Sequence, residues 1–464
     1  MAALDCCFVT FNCGRELINT SYFASNLFDL LQKRNAPPDL IILALEEIAP
    51  IGYSFLGGSF LTPYFNRLQD AINESTKKWS QPAARYENIL QSNAGMTALM
   101  LFAKPDVARS IAWIETAGVG VGNQDLGNKG AIGVRLGYGL DEEDETEMTF
   151  VSAHLAPMED ACERRNNDWK AINENMVFTR LSTPAPSKTR HKTGDTIATA
   201  EAEPLLSSAT DAGMSSQQRF RDGLIKPNSH LFLAGDLNYR TADKPPGEED
   251  HRNWPQPTRE TTDAKHYSNL FRNDQLTREL KSGRTLHYLQ EAPVTFPPTY
   301  KYSSQAQEQA AEIARYDFKA GTNTRDSSRP PPYEQSQWHW AKHRNPSWCD
   351  RILYLNPPFP GTQPTIHEYT SLPVQPTSDH QPVGMLFSIP LKPLPKPNPG
   401  EEAWVKPPFP VRSDWKQKRE TARRREIAVG VFSYLALTWE GEALLLGTVL
   451  GALGAWALLR SLLI

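Results

Sequence analysis

The sequence predicts an α/β body followed by a single membrane-spanning helix, and three observations lead there. Apolar, β-branched runs recur through the first 389 residues with helical stretches between several of them. A proline-rich segment then closes the body, and the chain ends on 22 residues that carry one charge. Over the 464 residues, 22% charged and 39% hydrophobic side chains make an ordinary globular mix, which excludes a wholly disordered chain and a multi-span membrane protein.

In chain order, the strand-like runs are Cys7–Phe11, Leu40–Leu45, Ala98–Phe102, Ala131–Leu136, Thr149–Ala153, His230–Ala234, Arg351–Leu355 and Val383–Ile389. Polar, potentially reactive residues stand just beyond several of them, the usual place for a site in a sheet protein. Two stretches read as low-complexity surface insertions: Thr183–Gln218, rich in Ser, Thr, Ala and Pro, and Arg325–Gln337, which contains Pro330-Pro331-Pro332. The folded body is set at 1–389, with insertions about 183–218 and 325–337.

Eight prolines between Pro390 and Pro410 suit an extended linker, and Lys416, Lys418, Arg419, Arg423, Arg424 and Arg425 follow. Residues 390–426 thus read as a Pro-rich, then basic, linker. Residues 427–464 read as a membrane-associated tail with the transmembrane helix at about 443–464, since 22 residues at about 1.5 Å each reach roughly the 30 Å of a bilayer core. Ile427–Leu437 is too short to span and is interrupted by Glu440 and Glu442, so it reads as interfacial, with a tilted hairpin as the alternative. Basic residues ahead of the span place the body on the cytosolic side as a single-pass tail anchor, and a short span with small residues fits the endoplasmic reticulum. A buried core helix is the competing reading of the same run. The N-terminal MAALDCCFVTFN has Asp5 where a secretion signal needs a basic residue, and the five cysteines lack any disulfide framework.

The 412–426 segment holds seven basic and three acidic side chains, so the body before it is more acidic than the whole-chain net charge of -4. An acidic body argues against nucleic acid as a partner. The run Leu231–Arg240 sets Asp236 and Asn238 two apart at the end of an apolar strand, a pair able to hold a water. Ser378-Asp379-His380 supplies an acid and an imidazole before the last strand, and Ser152-Ala153-His154 ends another. Together Asn12, Glu47, His154, Asp236, Asn238, Asp350, Asp379 and His380 form an oxygen-rich set that suits a hard cation, Mg2+ first, better than zinc. No C-x5-R run and no G-x4-G-K-[ST] loop occurs, so a cysteine phosphatase and a P-loop enzyme are both disfavoured.

At this point the residues carry a resemblance. FNCGRE (Phe11–Glu16), LEEI (Leu45–Ile48), GNKGAIGVRL (Gly127–Leu136), SAHLAP with ERRNNDW (Ser152–Trp169), GDLNYR (Gly235–Arg240), PPTYKY (Pro297–Tyr302), NPSWCDRIL (Asn345–Leu353) and SDHQPVG (Ser378–Gly384) together resemble the inositol polyphosphate 5-phosphatases of the exonuclease-endonuclease-phosphatase superfamily, over about residues 5–389. The resemblance implies a four-layered α/β/β/α sandwich of two packed mixed sheets. It also implies that Glu47 with Asn12 holds Mg2+, that Asp236 deprotonates or orients the attacking water and that Asn238 positions it. His380, steered by Asp350, would polarise the scissile phosphate, with Asp379 beside the metal and His154 on phosphate oxygens. Tyr300, Lys301, Lys342 and Arg344 would surround a 4-phosphate, Asn128 and Lys129 would sit near the inositol ring or its 1-phosphate, and Arg351 belongs with the substrate-binding residues. The family's usual Gln-Glu is here Glu46-Glu47, which adds a carboxylate beside the metal. A helical-looking insert follows TYKY.

The expected function is Mg-dependent removal of the 5-phosphate of phosphoinositides at a cytosolic membrane face, with phosphatidylinositol 4,5-bisphosphate as the first substrate. Soluble inositol polyphosphates, a superfamily nuclease and a phosphoinositide-binding scaffold without turnover are the alternatives.

Overall fold

β1 (Ala3–Asn12) sets the layering of the molecule through its period-2 alternation. Cys6 and Phe8 turn into the space between two sheets, where the Phe8 ring meets Phe150 edge-on at 5.8 Å. Cys7, Val9 and Phe11 turn the other way, against the helices on the outside, with Phe11 next to Phe23. In this computed structural model the described residues are 2–79, 85–139, 144–181, 222–319, 337–396 and 403–462. Both insertions noted in the sequence, about 183–218 and 325–337, lie outside the described residues apart from Gln337 at the end of the second.

The first sheet has the order β12 (Thr365–Ser371), β13 (Val383–Pro390), β1, β2 (Leu40–Glu46), β4 (Thr97–Ala103), β3 (Glu87–Ala94). The second has the order β10 (Leu289–Glu291), β11 (Asp350–Leu355), β9 (Ser229–Asp236), β7 (Thr146–His154), β6 (Gly130–Tyr138), β5 (Ile111–Gly120), β8 (Thr179–Arg180). Both are mixed: β1 with β2 and β7 with β9 are parallel, and the other pairs are antiparallel. The central core is aromatic, with Phe232 stacked on Phe387 across the sheets at 4.3 Å. Each such fully buried side chain contributes about 1.5–3 kcal/mol relative to exposure.

The outer faces are covered by helices. α1 (Thr20–Leu31), capped by Asn19 accepting from the Tyr22 amide, and α3 (Thr62–Lys77) cover the first sheet, with the short α2 (Ile51–Leu56) between them in sequence. α4 (Pro105–Arg109) links two strands, and α5 (Cys162–Asn175) covers the second sheet through Trp169 and Ile172. α6 (Tyr267–Phe271) and α7 (Gln275–Lys281) follow, and α8 (Ser304–Lys319) is the helix expected after TYKY. The result is the four-layered α/β/β/α sandwich.

The C-terminal segment departs from the linker reading. Val405 is buried in the outer core of the second sheet with Trp404 and Phe409 against it, and Trp404 Nε1 donates to the Pro227 carbonyl. The proline-rich composition hides three apolar side chains that have a surface to cover. Next, the basic residues and the apolar run 427–437 form one continuous helix, α9 (Trp415–Leu437), in place of separate linker and interfacial pieces. Its Gly430 lies so close to α2 that an added Cβ would stand 3.0 Å from Phe55 Cβ and 3.3 Å from the Leu56 nitrogen. Thr438, with extended backbone, breaks the chain into α10 (Trp439–Leu462), the described helix that is long and apolar enough to cross a membrane. Its leucines are exposed.

Candidate active site

Strand register brings the polar residues to one end of the sandwich. Asn12 pairs with Glu46 at the ends of β1 and β2, Asp350 at the start of β11 pairs with Asp236 at the end of β9, and Gly130 pairs with His154 across β6 and β7. The close approach at β9 requires Gly235, since a Cβ there would lie 1.8 Å from the Ala153 carbonyl oxygen. Glu47 and Asn238 take up left-handed backbone, φ +46° and +57°, which turns each side chain off its strand.

Asp236 is the hub. Its Oδ2 accepts from Asn12 Nδ2 at 2.9 Å, and lies 3.1 Å from His154 Nε2 and 3.9 Å from His380 Nε2. Its Oδ1 is buried without a hydrogen-bond partner among the described residues. Burial works to raise the Asp236 pKa, but His154, His380 and Lys129 outweigh it and hold the carboxylate ionised. Opposite, His380 Nδ1 is 2.9 Å from Asp350 Oδ2, and Thr299 Oγ1 donates to the same oxygen at 2.6 Å. Burial alone would lower the His380 pKa; the attraction of Asp350 and Asp236 wins and raises it to about 9, so the ring is an imidazolium with Nε2–H facing Asp236. Among the described residues, Asp236, Asp350 and His380 converge closely enough for their donor atoms to hold one ion.

Glu47 is mostly buried, and burial raises its pKa, yet His154, Lys129 and Arg15 lower it to about 2. It accepts from Arg15 Nε at 2.7 Å and from Lys129 Nζ at 3.3 Å. Lys129 Nζ is also 2.6 Å from His154 Nε2, and burial and then this ammonium depress the His154 pKa. A neutral ring nitrogen can accept from Lys129 or donate to Asp236, one at a time. Asn12 Oδ1 accepts from the Gly14 amide.

Several expectations change. Glu46 does not add an anion beside Glu47: it is fully buried, accepts from Thr10 Oγ1 at 3.1 Å and Ser152 Oγ at 3.0 Å, and burial, then Asp350 and Asp236, push its pKa well above the usual range. Burial thus disfavours the ionised form of the carboxyl that stands where the resemblance has a carboxamide. Arg351 stands apart from the other expected substrate residues. Period 2 turns it away from Asp350, and it is fully buried, 3.0 Å from Asp274 and paired with Glu291. Asn238 is buried but does not join Asp236: β9 ends at Asp236, so strand alternation no longer applies, and the side chain donates to the Leu155 carbonyl and accepts from Arg240.

The remaining expected residues are placed as follows. Tyr300 stacks obliquely on His380 at 4.5 Å, Lys301 pairs with Asp379, Asn128 is half-buried with an Oδ1 that has no partner among the described residues, Arg344 Nη2 lies 3.1 Å from Met158 Sδ, and Lys342 is exposed. Residues not singled out from sequence are Thr299 on Asp350, Arg15 on Glu47, Arg240 over the Tyr300 ring at 4.4 Å, and Ser378, which donates to the Asn12 carbonyl at 2.6 Å. Each stands inside a quoted motif (PPTYKY, FNCGRE, GDLNYR and SDHQPVG), so membership of the motif was the available signal.

Comparison with known proteins bears on the family and the fold. The family model described as Endonuclease/Exonuclease/phosphatase family 2 matches residues 9–386. The polyphosphatidylinositol phosphatase INP53 of Saccharomyces cerevisiae is 26% identical over 352 residues, 75% of this chain and 23% of that protein. The type II inositol 1,4,5-trisphosphate 5-phosphatase of Mus musculus is 25% identical over 353 residues, 76% of this chain and 27% of that protein. The type IV inositol polyphosphate 5-phosphatase 9 of Arabidopsis thaliana is 26% identical over 377 residues, 78% and 72% of the two chains. This chain thus spans about a quarter of the length of the first two relatives. Among solved structures, the inositol polyphosphate 5-phosphatase domain of SPsynaptojanin, in complex with inositol (1,4)-bisphosphate and calcium ion, covers 92% of each chain with a TM-score of 0.53 and 21% identity, a likeness of fold.

Proposed function

The chain belongs to the endonuclease/exonuclease/phosphatase family 2, and on that premise we propose that it is a metal-dependent phosphatase that removes the 5-phosphate of phosphoinositides, phosphatidylinositol 4,5-bisphosphate first, giving phosphatidylinositol 4-phosphate. One observation carries the reading: the ionised Asp236 faces the imidazolium of the His380–Asp350 pair across one end of the sandwich. The relatives named as inositol polyphosphate 5-phosphatases support the position of cleavage.

In this reading Asp236 accepts a hydrogen bond from water and aims it in line with the scissile phosphorus. The His380 Nε2–H donates to a non-bridging phosphate oxygen and offsets the charge that grows there, while Asp350 fixes the ring. His154 and Lys129 bind phosphate oxygens, and Asn238, held by Arg240 and Leu155, braces the loop under the water. Glu47 and the Asn12 carboxamide oxygen would hold Mg2+, and the partnerless Asp236 Oδ1 together with an all-oxygen donor set fits such a hard cation. When bound, Mg2+ neutralises charge on the phosphate and its leaving oxygen. Tyr300, Lys301, Lys342 and Arg344 are assigned to a 4-phosphate, where cations match a second anionic group. α10 is read as a tail anchor in a membrane such as the endoplasmic reticulum, with the body on the cytosolic side; tethering raises the effective concentration of a lipid substrate.

The deciding experiment measures phosphate release by the full chain in mixed micelles from phosphatidylinositol 4,5-bisphosphate and from its 4- and 5-monophosphate counterparts, with EDTA, with Mg2+ restored, and with Asp236→Asn. Mg-dependent release that leaves the 4-phosphate lipid and falls on the order of 10³-fold in Asp236→Asn is expected. No release from any of the three by folded protein would overturn the reading.

A further inference from the structure

The helix that leads to the membrane-spanning segment reaches into the active-site end of the body. Glu426 of α9 is buried, and its Oε1 accepts from the Gly127 amide at 2.8 Å, directly before Asn128 and Lys129. The fit is close: a Cβ on Gly127 would stand 2.7 Å from that oxygen and 2.8 Å from Gly95 Cα. From there the contacts run to the site on two routes. Gly127 O accepts from Met96 N at 2.8 Å, and Met96 O accepts from Ile48 N at 3.2 Å, next to Glu47. On the other route Lys129, two residues on, reaches Glu47 and His154.

Arg423, one turn earlier, pairs with Glu426 at 3.3 Å and donates to the Phe55 carbonyl at 2.6 Å and the Leu56 carbonyl at 3.4 Å, the last carbonyls of α2. Arg425 donates to the Gln124 carbonyl at 3.2 Å, and Lys418 lies 3.4 Å from Asp125, on the same loop. Three members of the basic run that the composition assigns to a linker, Lys418, Arg423 and Arg425, thus hold two segments that flank Glu47 and Lys129.

We infer that Glu426 is a positioning residue of the active site: by holding the Gly127 amide it sets the loop that aims Asn128 and Lys129, which makes α9 part of the catalytic unit and not only a connection to the tail. The inference rests on the phosphatase reading. It predicts that an acceptor oxygen at the Glu426 position is needed for turnover of a substrate that has no membrane to find.

The test uses the full chain in detergent micelles with the soluble probe inositol 1,4,5-trisphosphate. Glu426→Ala should lower kcat/KM about tenfold, mostly through KM, and should speed hydrogen exchange in residues 122–130 while exchange in β9 is unchanged. Glu426→Gln keeps an oxygen acceptor and should stay within about threefold of the native chain. Glu426→Asp keeps the charge but withdraws the acceptor, and should behave as Glu426→Ala, so the inference stays falsifiable if the alanine variant fails to fold. Faster exchange with kcat and KM both within twofold of native would overturn the inference, as would equal losses in Glu426→Ala and Glu426→Gln. Should the native chain hydrolyse nothing, the phosphatase reading falls by itself. Calorimetric binding of the same probe then decides the role of Glu426: weaker binding in Glu426→Ala and Glu426→Asp, with Glu426→Gln near the native chain, supports it, and equal binding in the native chain and all three variants overturns it.

Discussion

At Asp236 one carboxylate oxygen is committed to Asn12 and His154 while the other has no partner among the described residues. The charge there is kept by its neighbours, and the same is true of the His380 imidazolium. Because the folded His380 pKa is about 9 and an unfolded histidine titrates near 6.5, the stability from its protonation is fully present below about pH 6.5 and is lost as pH rises through about 9. The melting temperatures of the native chain and Asp350→Asn in metal-free buffer should therefore differ by several degrees at pH 6 and draw together by pH 10. A gap that stays constant over that range would place the coupling elsewhere. Arg351 gives the contrasting case. Arg351→Met leaves Asp274 and Glu291 buried without their cation, so denaturant unfolding should show a loss of about 3–5 kcal/mol, with KM for inositol 1,4,5-trisphosphate unchanged. The motif around Asp350 was legible in the sequence, but which face each side chain takes was decided by strand alternation, and Arg351 fell on the structural side.

At the scale of elements, the eight apolar runs became β1, β2, β4, β6, β7, β9, β11 and β13, which are the interior strands and their close neighbours. β3, β5 and β12 escaped notice because they lie at or next to sheet edges and are half-exposed, so their sequences, such as ENILQSNA and TIHEYTS, carry no continuous apolar run. α9 was misread for a related reason: its periodicity is weak because one side covers α2 and the 122–130 loop through glycine and charged residues. The docking can be broken at one position. Gly430→Val drives a branched side chain against Phe55 and Leu56, and tryptic cleavage within residues 415–425 should accelerate several-fold, with β1 and β9 protected as before. Cleavage at the native rate would mean that the α2 contact does not hold the helix.

For the whole molecule, the sandwich and the residues at its end follow from strand runs and motifs, whereas the path of the chain after Pro390 does not. Composition averages over a segment, and the packing depends on where Trp404, Val405 and Phe409 fall. Removing residues 439–464 should release the protein from membranes and leave kcat/KM on inositol 1,4,5-trisphosphate within about twofold. Removing residues 415–464 should also release it but lower that value about tenfold. If both truncations turn over the soluble substrate alike, α9 serves only to join body and tail.

The extended Thr438 leaves a single residue between a helix fastened to the body and a helix suited to a bilayer. With α10 in lipid, the mouth of the site has no slack with which to wander. On the tail-anchor reading proposed above, such an enzyme would search in two dimensions, among molecules diffusing in its own leaflet, and a facing bilayer would stay out of its reach.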